Sequence, residues 1–553
     1  MNRNDRGLGR IRLIGSLCVA GTVLALGIHS TISNPKPFSF SPSEPSDPSA
    51  IQIAKGSTNR LNAQSPVGVN MSELVDWTTQ WAFVDAFKIS RSWIAQKQGA
   101  SWGQGGQLKL TPEGWIASLE PGQYVDAPMF DNGLHYPAGK YTVFYDGEGK
   151  IGFNYDSGKI ISESPGRLVV DVKPQDSGIV LQVLATNPAN PIRNIRVIMP
   201  GFETTYQKQP FHPLFLERLS RFKVIRFMDW MKANGSPVKE WADRLTPQHS
   251  TQMSDRGVAL EYMIQLANTL HADPWFTLPH EASDDYVRRF ATMVRDRLDP
   301  SLKVYIEYSN EVWNYAFSQT RDLEKRGLAL NLAPGDGGMS MIRYYSQRSV
   351  EIFKIWEEVF GGRQRLVRVL ASQMVNPWLG DKVLTWKDAY KHADVYAITG
   401  YFSGKGIVEQ ENVDRTLRMT PDQIIDNILE EIRTDNRKLL IKNAALAKQF
   451  GLKLVAYEGG LGLYSHNMGD KEPQMTALLN SVNRHPRMRE VYQEYLKLWR
   501  QAGGGLFNQY YYIGGFSKWG SWGALEYQDQ DLKQAPKYQG LMDFIQANPS
   551  TTP

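Results

Sequence analysis

From about Ser220 onward, short apolar runs alternate with longer segments of helical period. The runs Val224–Met228, Pro274–Pro279, Lys303–Ser309, Leu366–Ser372, Asp394–Gly400, Lys453–Tyr457 and Gly505–Tyr511 predict strands. They are almost continuously apolar, as strands covered on both faces of a parallel sheet must be. Between them the apolar residues recur at helical spacing. In Ser283–Leu298, for example, Val287, Phe290, Ala291, Val294 and Leu298 make one stripe, with Ser283 as N-cap and Pro300 as terminator. Pro66–Asn70, reading Pro-Val-Gly-Val-Asn, supplies one more strand upstream. Eight strand–helix units in a row predict an α/β chain closed into a (β/α)8 barrel, with functional groups at the C-terminal ends of the strands.

The pattern breaks between the first and second of these strands. Residues 101–200 show short alternating segments, including Leu168–Val172 and Ile179–Leu184. Turn signals at Pro121-Gly122, Asn132-Gly133, Asp146-Gly147 and Asp156-Ser157-Gly158 separate them, and no helix of useful length is visible. This predicts an all-β sandwich inserted into the barrel. The units are then 66–100 for the first barrel unit, 101–200 for the insert and 201–548 for the rest of the barrel. Trp102 and Trp115 are either stacking platforms for a ligand or core residues of the insert, and core is the commoner fate of a single tryptophan. Asp146, Glu148 and Asn154 do not match the twelve-residue calcium loop, so a hairpin turn is expected there. No internal repeat is present.

The N-terminus changes the picture of where the chain works. Arg3, Arg6, Arg10 and Arg12 precede an apolar run, Leu13–Ile28, with Ala25-Leu26-Gly27 as a cleavage site. A basic segment followed by a run too short for a span, which needs ~20 apolar residues, reads as an export signal, with an uncleaved anchor as the rival. Residues 1–30 are therefore a signal peptide or anchor, and 31–65, rich in Ser and Pro, a disordered tether. The expected location is secreted, periplasmic or envelope-anchored. Cys18, the only cysteine, lies in the leader, so a cleaved product has no disulfide or thiol chemistry. A net charge of +5 without Lys/Arg runs gives no case for nucleic acid.

Two stretches carry candidate chemistry: Tyr305-Ile-Glu-Tyr-Ser-Asn-Glu311-Val-Trp313 and Leu454-Val-Ala-Tyr-Glu458-Gly-Gly460. Each is an apolar strand that delivers a glutamate at its C-terminal end, one after the fourth strand and one at the end of the seventh. Strands four and seven lie across the barrel mouth, so their carboxylates can flank one bond. Two carboxylates so placed are the machinery of glycoside hydrolysis. Either glutamate alone would be an ordinary surface or helix-start carboxylate. There is no HExxH motif or Cys/His cluster, and His280-Glu281 is too little for a metal site. Gly503-Gly504-Gly505 leads into a strand and opens no helix, so it is no phosphate cradle.

Asn310-Glu311 after the fourth strand and Glu458 at the end of the seventh together resemble clan A of the glycoside hydrolases, the retaining TIM-barrel enzymes. The resemblance covers 66–93 and 201–548. Val312 stands where many members of the clan have proline, so it assigns no single family. It implies that Glu311 is the acid/base and Glu458 the nucleophile. Asn310 would bind the sugar 2-hydroxyl, and Arg226 would keep the nucleophile charged. Tyr401 would donate to that nucleophile, His280 would line a sugar subsite, and Trp519 or Trp522 would stack on sugar. For Arg226 the plainer alternative is an ion pair with Glu307, which shares Glu311's face of the strand by alternation; for Tyr401 and His280 it is a rim position.

Trp313, Trp378, Trp230 and Trp275 lie on or just past barrel strands, where aromatic rings suit the flat C–H faces of sugars; Trp275 reads as core. The expected activity is retaining hydrolysis of a β-linked poly- or oligosaccharide by a monomer without cofactor or metal, touching a membrane only through its N-terminal anchor. The rivals are a non-catalytic glycan-binding envelope protein and a transglycosylase of exopolysaccharide processing. Sugar and linkage depend on the loops Leu332–Met341, Ser403–Met419 and Gly514–Glu526.

Overall fold

The computed structural model describes residues 61–131 and 134–549, which lie in one unit. The basic leader with Cys18, most of the tether and the Asn132-Gly133 turn lie outside the described residues.

Eight strands pair in parallel in chain order: Val67–Asn70, Val224–Arg226, Asp273–Leu278, Val304–Tyr308, Leu366–Ala371, Val395–Phe402, Lys453–Leu461 and Gly504–Ile513. The first also pairs with the eighth, Val67 opposite Phe507 and Gly68 opposite Asn508, which closes the barrel. Gly68 permits this closure, because a Cβ there would lie 1.9 Å from the Asn508 side chain. The helix after the third strand runs Asp284–Arg297, and the Ser283 side chain accepts from Tyr286 N–H.

Period-two alternation fills the barrel in layers. Val224, Trp275, Val369, Val395 and Val455 form an apolar layer inside, with Tyr305 packed against it. Two residues further along their strands, Arg226 and Glu307 form a buried charged layer at the mouth, exposed by 0 and 1%. The layer beneath excludes water, so polar groups at the mouth must satisfy one another.

Between the first and second barrel strands the chain forms two four-stranded antiparallel sheets. One runs Ile94–Lys97, Gln123–Met129, Ile179–Thr186, Gly149–Asn154, and the other Arg193–Ile198, Gly139–Asp146, Arg167–Val172, Lys159–Ser164. Each buries alternate residues, such as Val125, Ala127, Leu181 and Val183 in the first and Val143, Leu168, Val170 and Val197 in the second.

Three sequence expectations need correction here. The β region begins at Ile94, not at 101, because Ile94–Lys97 pairs with Gln123–Asp126. Residues 71–93 contain only a short 3-10 helix, Ala86–Ile89, and the helix that follows the first barrel strand, Pro213–Leu219, comes after the sheets. The expected tether ends before 65. Asn62 is buried, and its amide donates to the carbonyls of Phe222 and Leu270, so these residues belong to the barrel. Asp146-Gly147 is no hairpin turn, since the strands on either side lie in different sheets. Gly147 (φ 91°) passes so close to Pro191 that a Cβ would meet its carbonyl oxygen at 2.1 Å. The carboxylates of this crossing are taken by amides, Asp146 by Asn194 and Glu148 by Asn187 and Asn190. Among the described residues no acidic or His cluster could hold a metal ion.

The β region and the segment before it pack on loops at the C-terminal ends of the barrel strands. Ser250 N–H, in the connection after the second barrel strand, donates to Glu113 O, and Lys88 Nζ donates to Pro247 O. His135 stacks on Tyr527, in the connection after the eighth strand, at 3.6 Å. Trp115 is buried and stacks on Phe87 at 5.9 Å, whereas Trp102 is 48% exposed.

Candidate active site

The barrel mouth is organised by one guanidinium. Arg226, at the end of the second strand, donates through Nε to Glu307 at 3.0 Å and through Nη1 to Glu458 at 2.9 Å. It also reaches Asn70 Oδ1 at 2.9 Å and Asn310 Oδ1 at 2.8 Å. The Trp275 indole donates to the same Glu307 oxygen at 2.7 Å. Arg226 thus pairs with both carboxylates, Glu307 and Glu458. Arginine suits the position because its planar fork stays charged when buried. Removing Arg226 from this set costs about 3–5 kcal/mol, since it leaves buried carboxylates without their counter-charge.

Glu458 occupies its place through an irregularity in the seventh strand. The register against the sixth strand slips between the pairs Ala456–Ile398 and Glu458–Thr399, leaving Tyr457 as an extra, bulged residue. A bulge lets two consecutive side chains turn inward, which strict alternation forbids. Tyr457 and Glu458 therefore both face the mouth. The second Glu458 oxygen accepts from Tyr401 at 3.0 Å. Burial pushes the Glu458 carboxyl up, opposed by the Arg226 charge and by hydrogen bonds from Tyr401 and Arg226.

Glu311 has a different environment. Its oxygens accept from Tyr457 OH at 3.1 Å and Asn314 Nδ2 at 2.9 Å, both neutral donors. The backbone around it is strained, with φ of 60° at Ser309 and 39° at Glu311, the kind of cost that persists where the surroundings fix a side chain. Burial first, and then the Glu458 charge, push the Glu311 carboxyl up to about 8. Two buried carboxyls near each other do not both ionise, and the one with the guanidinium keeps the charge. The guanidinium thus favours the charge on Glu458 and leaves the proton on Glu311.

That arrangement has a measurable cost. The folded state holds the Glu311 proton to about 8 whereas an ordinary glutamate releases it near 4.5, so the folded state binds more protons between these values. Stability then falls as pH rises through this window. Glu311→Gln removes the loss, so its Tm should exceed that of the wild type by a margin that widens from about pH 5 to about pH 8.5. Thermal melts of both proteins across this range check it, and a margin independent of pH would refute the assignment.

Asn310 is fixed from three sides. Its Oδ1 accepts from Arg226, its Nδ2 donates to Asn234 at 3.1 Å, and Gln319 donates to its carbonyl at 2.9 Å. One amide hydrogen of Asn310 is left for a ligand. The Tyr401 ring meets Trp522 edge-on at 5.7 Å. From Trp522 an aromatic row leads away from Glu458 through Tyr464 (6.5 Å), His466 (5.0 Å) and Trp519 (5.4 Å). Trp519 is 42% exposed at the far end of the row, so both tryptophans of the loop after the eighth strand lie on one ladder.

The His280 ring is buried and turned to Asp322, at 3.0 Å, on the helix after the fourth strand. Burial pushes its pKa down. Trp313 is half-buried against the barrel-interior residues around Trp275 and Tyr457; Trp230 is fully buried, and Trp275, also fully buried, belongs to the Arg226 group through its bond to Glu307. Trp378 is exposed by 54% at the first turn of the helix after the fifth strand.

Several members of the site were missed in the sequence. Tyr457 was not singled out: it shares the inward face with Val455 by alternation, and the bulge adds Glu458 to that face. Asn70, Asn234, Asn314 and Gln319 are single amides without a motif. Asp229, three residues past Arg226, accepts from Tyr511, which accepts in turn from Tyr510 at 3.1 Å. Burial first, with the Glu458 charge also contributing, pushes the Asp229 carboxyl up to about 7. The sequence does place it at a strand end, and that is the signal that would have found it.

No family model and no curated protein matches the sequence. Similar solved structures include a 4-O-α-L-rhamnosyl-β-D-glucuronidase from Fusarium oxysporum 12S, at 13% identity over 59% of this chain and 61% of that one, TM-score 0.34. A β-glucosidase from Thermotoga maritima matches at 12% identity over 61% of this chain and 85% of that one, TM-score 0.33. An intracellular xylanase from Thermoanaerobacterium saccharolyticum JW/SL-YS485 matches at 10% identity over 60% and 90%, TM-score 0.30. The chain spans under two thirds of the length of the first of these.

Proposed function

We propose that the chain is a retaining glycoside hydrolase that cleaves a β-linked poly- or oligosaccharide by double displacement. The observation that carries this reading is the division of labour between two buried carboxyls at one barrel mouth. Glu458 is ion-paired to Arg226, and Glu311, bonded only to neutral donors, is held protonated near neutral pH.

In the first step the ionised Glu458 attacks the anomeric carbon while Glu311 gives its proton to the departing oxygen. The Glu458 charge is then consumed in the ester bond, which removes one cause of the raised Glu311 pKa. Glu311, now ionised, takes a proton from water as that water attacks the glycosyl–Glu458 ester. Each glutamate ends as it began. Tyr401 and Arg226 orient the attacking oxygen and release it as charge leaves it. The free Asn310 amide hydrogen meets the sugar 2-hydroxyl, a contact that strengthens in the transition state. The Trp522–Trp519 row offers faces for the sugars beyond the cleavage point. On the leader, the reaction belongs outside the cytoplasm, in solution, periplasm or envelope.

Purified protein is incubated with β-glucans, xylans, mannans, galactans and aryl glycosides, and reducing ends are measured. With an active substrate, ¹H NMR in the first minutes should show the β-anomer forming before mutarotation. An α-anomer first would mean inversion and would remove the nucleophile role from Glu458. Binding of a glycan without release of reducing ends would favour the non-catalytic binding protein.

A further inference from the structure

We propose that Trp102 and Tyr155 form a second glycan-binding site on the inserted sheets, which grips a single soluble β-linked chain outside the catalytic cleft. The ligand class rests on the hydrolase reading, and the site does not depend on the catalytic glutamates.

Trp102 and Tyr155 are large aromatic residues 48 and 54% exposed on a β region whose other tryptophan, Trp115, is buried. Their rings are 6.0 Å apart and inclined at 46°. Trp102 follows the edge strand Ile94–Lys97, and Tyr155 follows the opposite edge strand, Gly149–Asn154. Two rings from opposite edges of one sheet meet only if the Trp102 loop folds across its outer face.

A buried carboxylate holds both in place. Asp126, on the outer face of this sheet and fully buried, accepts from Gln96 Nε2 at 3.0 Å and Gln182 Nε2 at 2.7 Å. The other end of the Gln96 amide accepts from Gly103 N–H at 3.1 Å, which pins the residue next to Trp102. Asn154 also hydrogen-bonds Asp126 and accepts from Tyr155 N–H at 2.9 Å. Tyr155 itself stands at φ 56°, an outlier for a bulky residue, with its carbonyl taken by Gln175 Nε2 at 2.9 Å. Strain at an exposed ring, held by side-chain hydrogen bonds from a buried hub, is the mark of a preorganised binding surface.

The ring geometry narrows the ligand. Inclined rings cannot lie flat on a crystalline polysaccharide surface, but they form a corner that takes the C–H face of one sugar and the flank of the next. The half-buried amide of Gln182 and the hydroxyls of Tyr124 and Tyr155 provide neutral hydrogen-bonding partners for hydroxyl groups. The sheets rest on the connections after the second and eighth barrel strands, so a chain held here is tethered at the catalytic end of the barrel. Such tethering raises local substrate concentration without a new contact in the cleft.

The test is affinity electrophoresis of the full chain carrying Glu458→Gln, in gels containing soluble β-glucan, xylan, mannan or galactan. Trp102→Ala with Tyr155→Ala is compared in the same background, and Trp102→Phe keeps a ring as control. The double variant should bind the retaining glycan about fivefold or more weakly, with Trp102→Phe within about twofold of its parent. Both rings are half exposed, so the melts should coincide. Equal retention of the double variant and its parent would overturn the site, and so would a parent that no glycan retards. Turnover of aryl glycosides by the wild-type chain is scored separately. Turnover with unchanged retention sinks the second site alone, and lost retention without turnover sinks the hydrolase reading alone.

Discussion

Glu458→Gln is expected to lower turnover by at least about 10⁴-fold on every substrate, whatever its leaving group, and to leave the fold intact. Glutamine has the size of glutamate; its carbonyl oxygen can still accept from Arg226, and its amide nitrogen takes the place of the oxygen facing Tyr401, whose hydroxyl can turn to accept from it. The guanidinium keeps Glu307, Asn70 and Asn310, so its charge remains compensated. The variant loses the one charged oxygen able to bond to the anomeric carbon. Steady-state rates with an aryl glycoside and a polysaccharide, beside thermal melts, test this. A loss under about tenfold with an unchanged melt would end the nucleophile assignment. The same variant should change its neighbour, because the Glu458 charge is the second cause of the raised Glu311 pKa. Glu311 should then titrate lower in Glu458→Gln, and carboxyl-carbon NMR of the labelled side chain would read the shift.

How much of this was legible in the sequence differs between the two layers of the fold. All eight barrel strands were readable, because a strand buried on both faces must be apolar along its length, and only the ends moved. The seventh extends to Leu461, well past the apolar run, because Gly459 and Gly460 continue the ladder with the sixth strand. The β region was readable as β but not in its connections. Turn residues announce that the chain reverses, and they do not say into which sheet it returns, so Asp146-Gly147 read as a hairpin when it crosses between sheets. Its start was misplaced because Ile94–Lys97 is too short and mixed to stand out from the segment before it.

The site divides along similar lines. Glu311, Glu458 and Arg226 were visible as charges at the ends of apolar runs, where an unpaired charge is costly and so needs a reason. Tyr457 was passed over as one more aromatic of an apolar strand, and the amides around Asn310 by the absence of any pattern at all. His280, a strand-end histidine, also satisfies the positional rule, and the partner its ring finds is Asp322. Position at a strand end is thus a strong filter for charged groups and a weak one for neutral residues, which have other partners within reach.

Glu311→Ala is expected to separate substrates by leaving group, which no structural defect would do. Cleavage of a natural glycan should fall by about 10²–10⁴-fold, the usual worth of a positioned acid. Aryl glycosides with acidic phenols depart without a proton, so their first step should survive, and the glycosyl–Glu458 ester should accumulate because no base activates water. Azide needs no base, and adding it should restore turnover and release the β-glycosyl azide. The pH profile gives a second signature. The wild-type rate should fall as pH rises through the Glu311 value of about 8, since only the protonated form can donate. In Glu311→Ala this alkaline limb should vanish for activated substrates. Equal losses with and without an activated leaving group, and no effect of azide, would mean that Glu311 supports the site without moving a proton. The raised pKa would then reflect burial beside Glu458 alone.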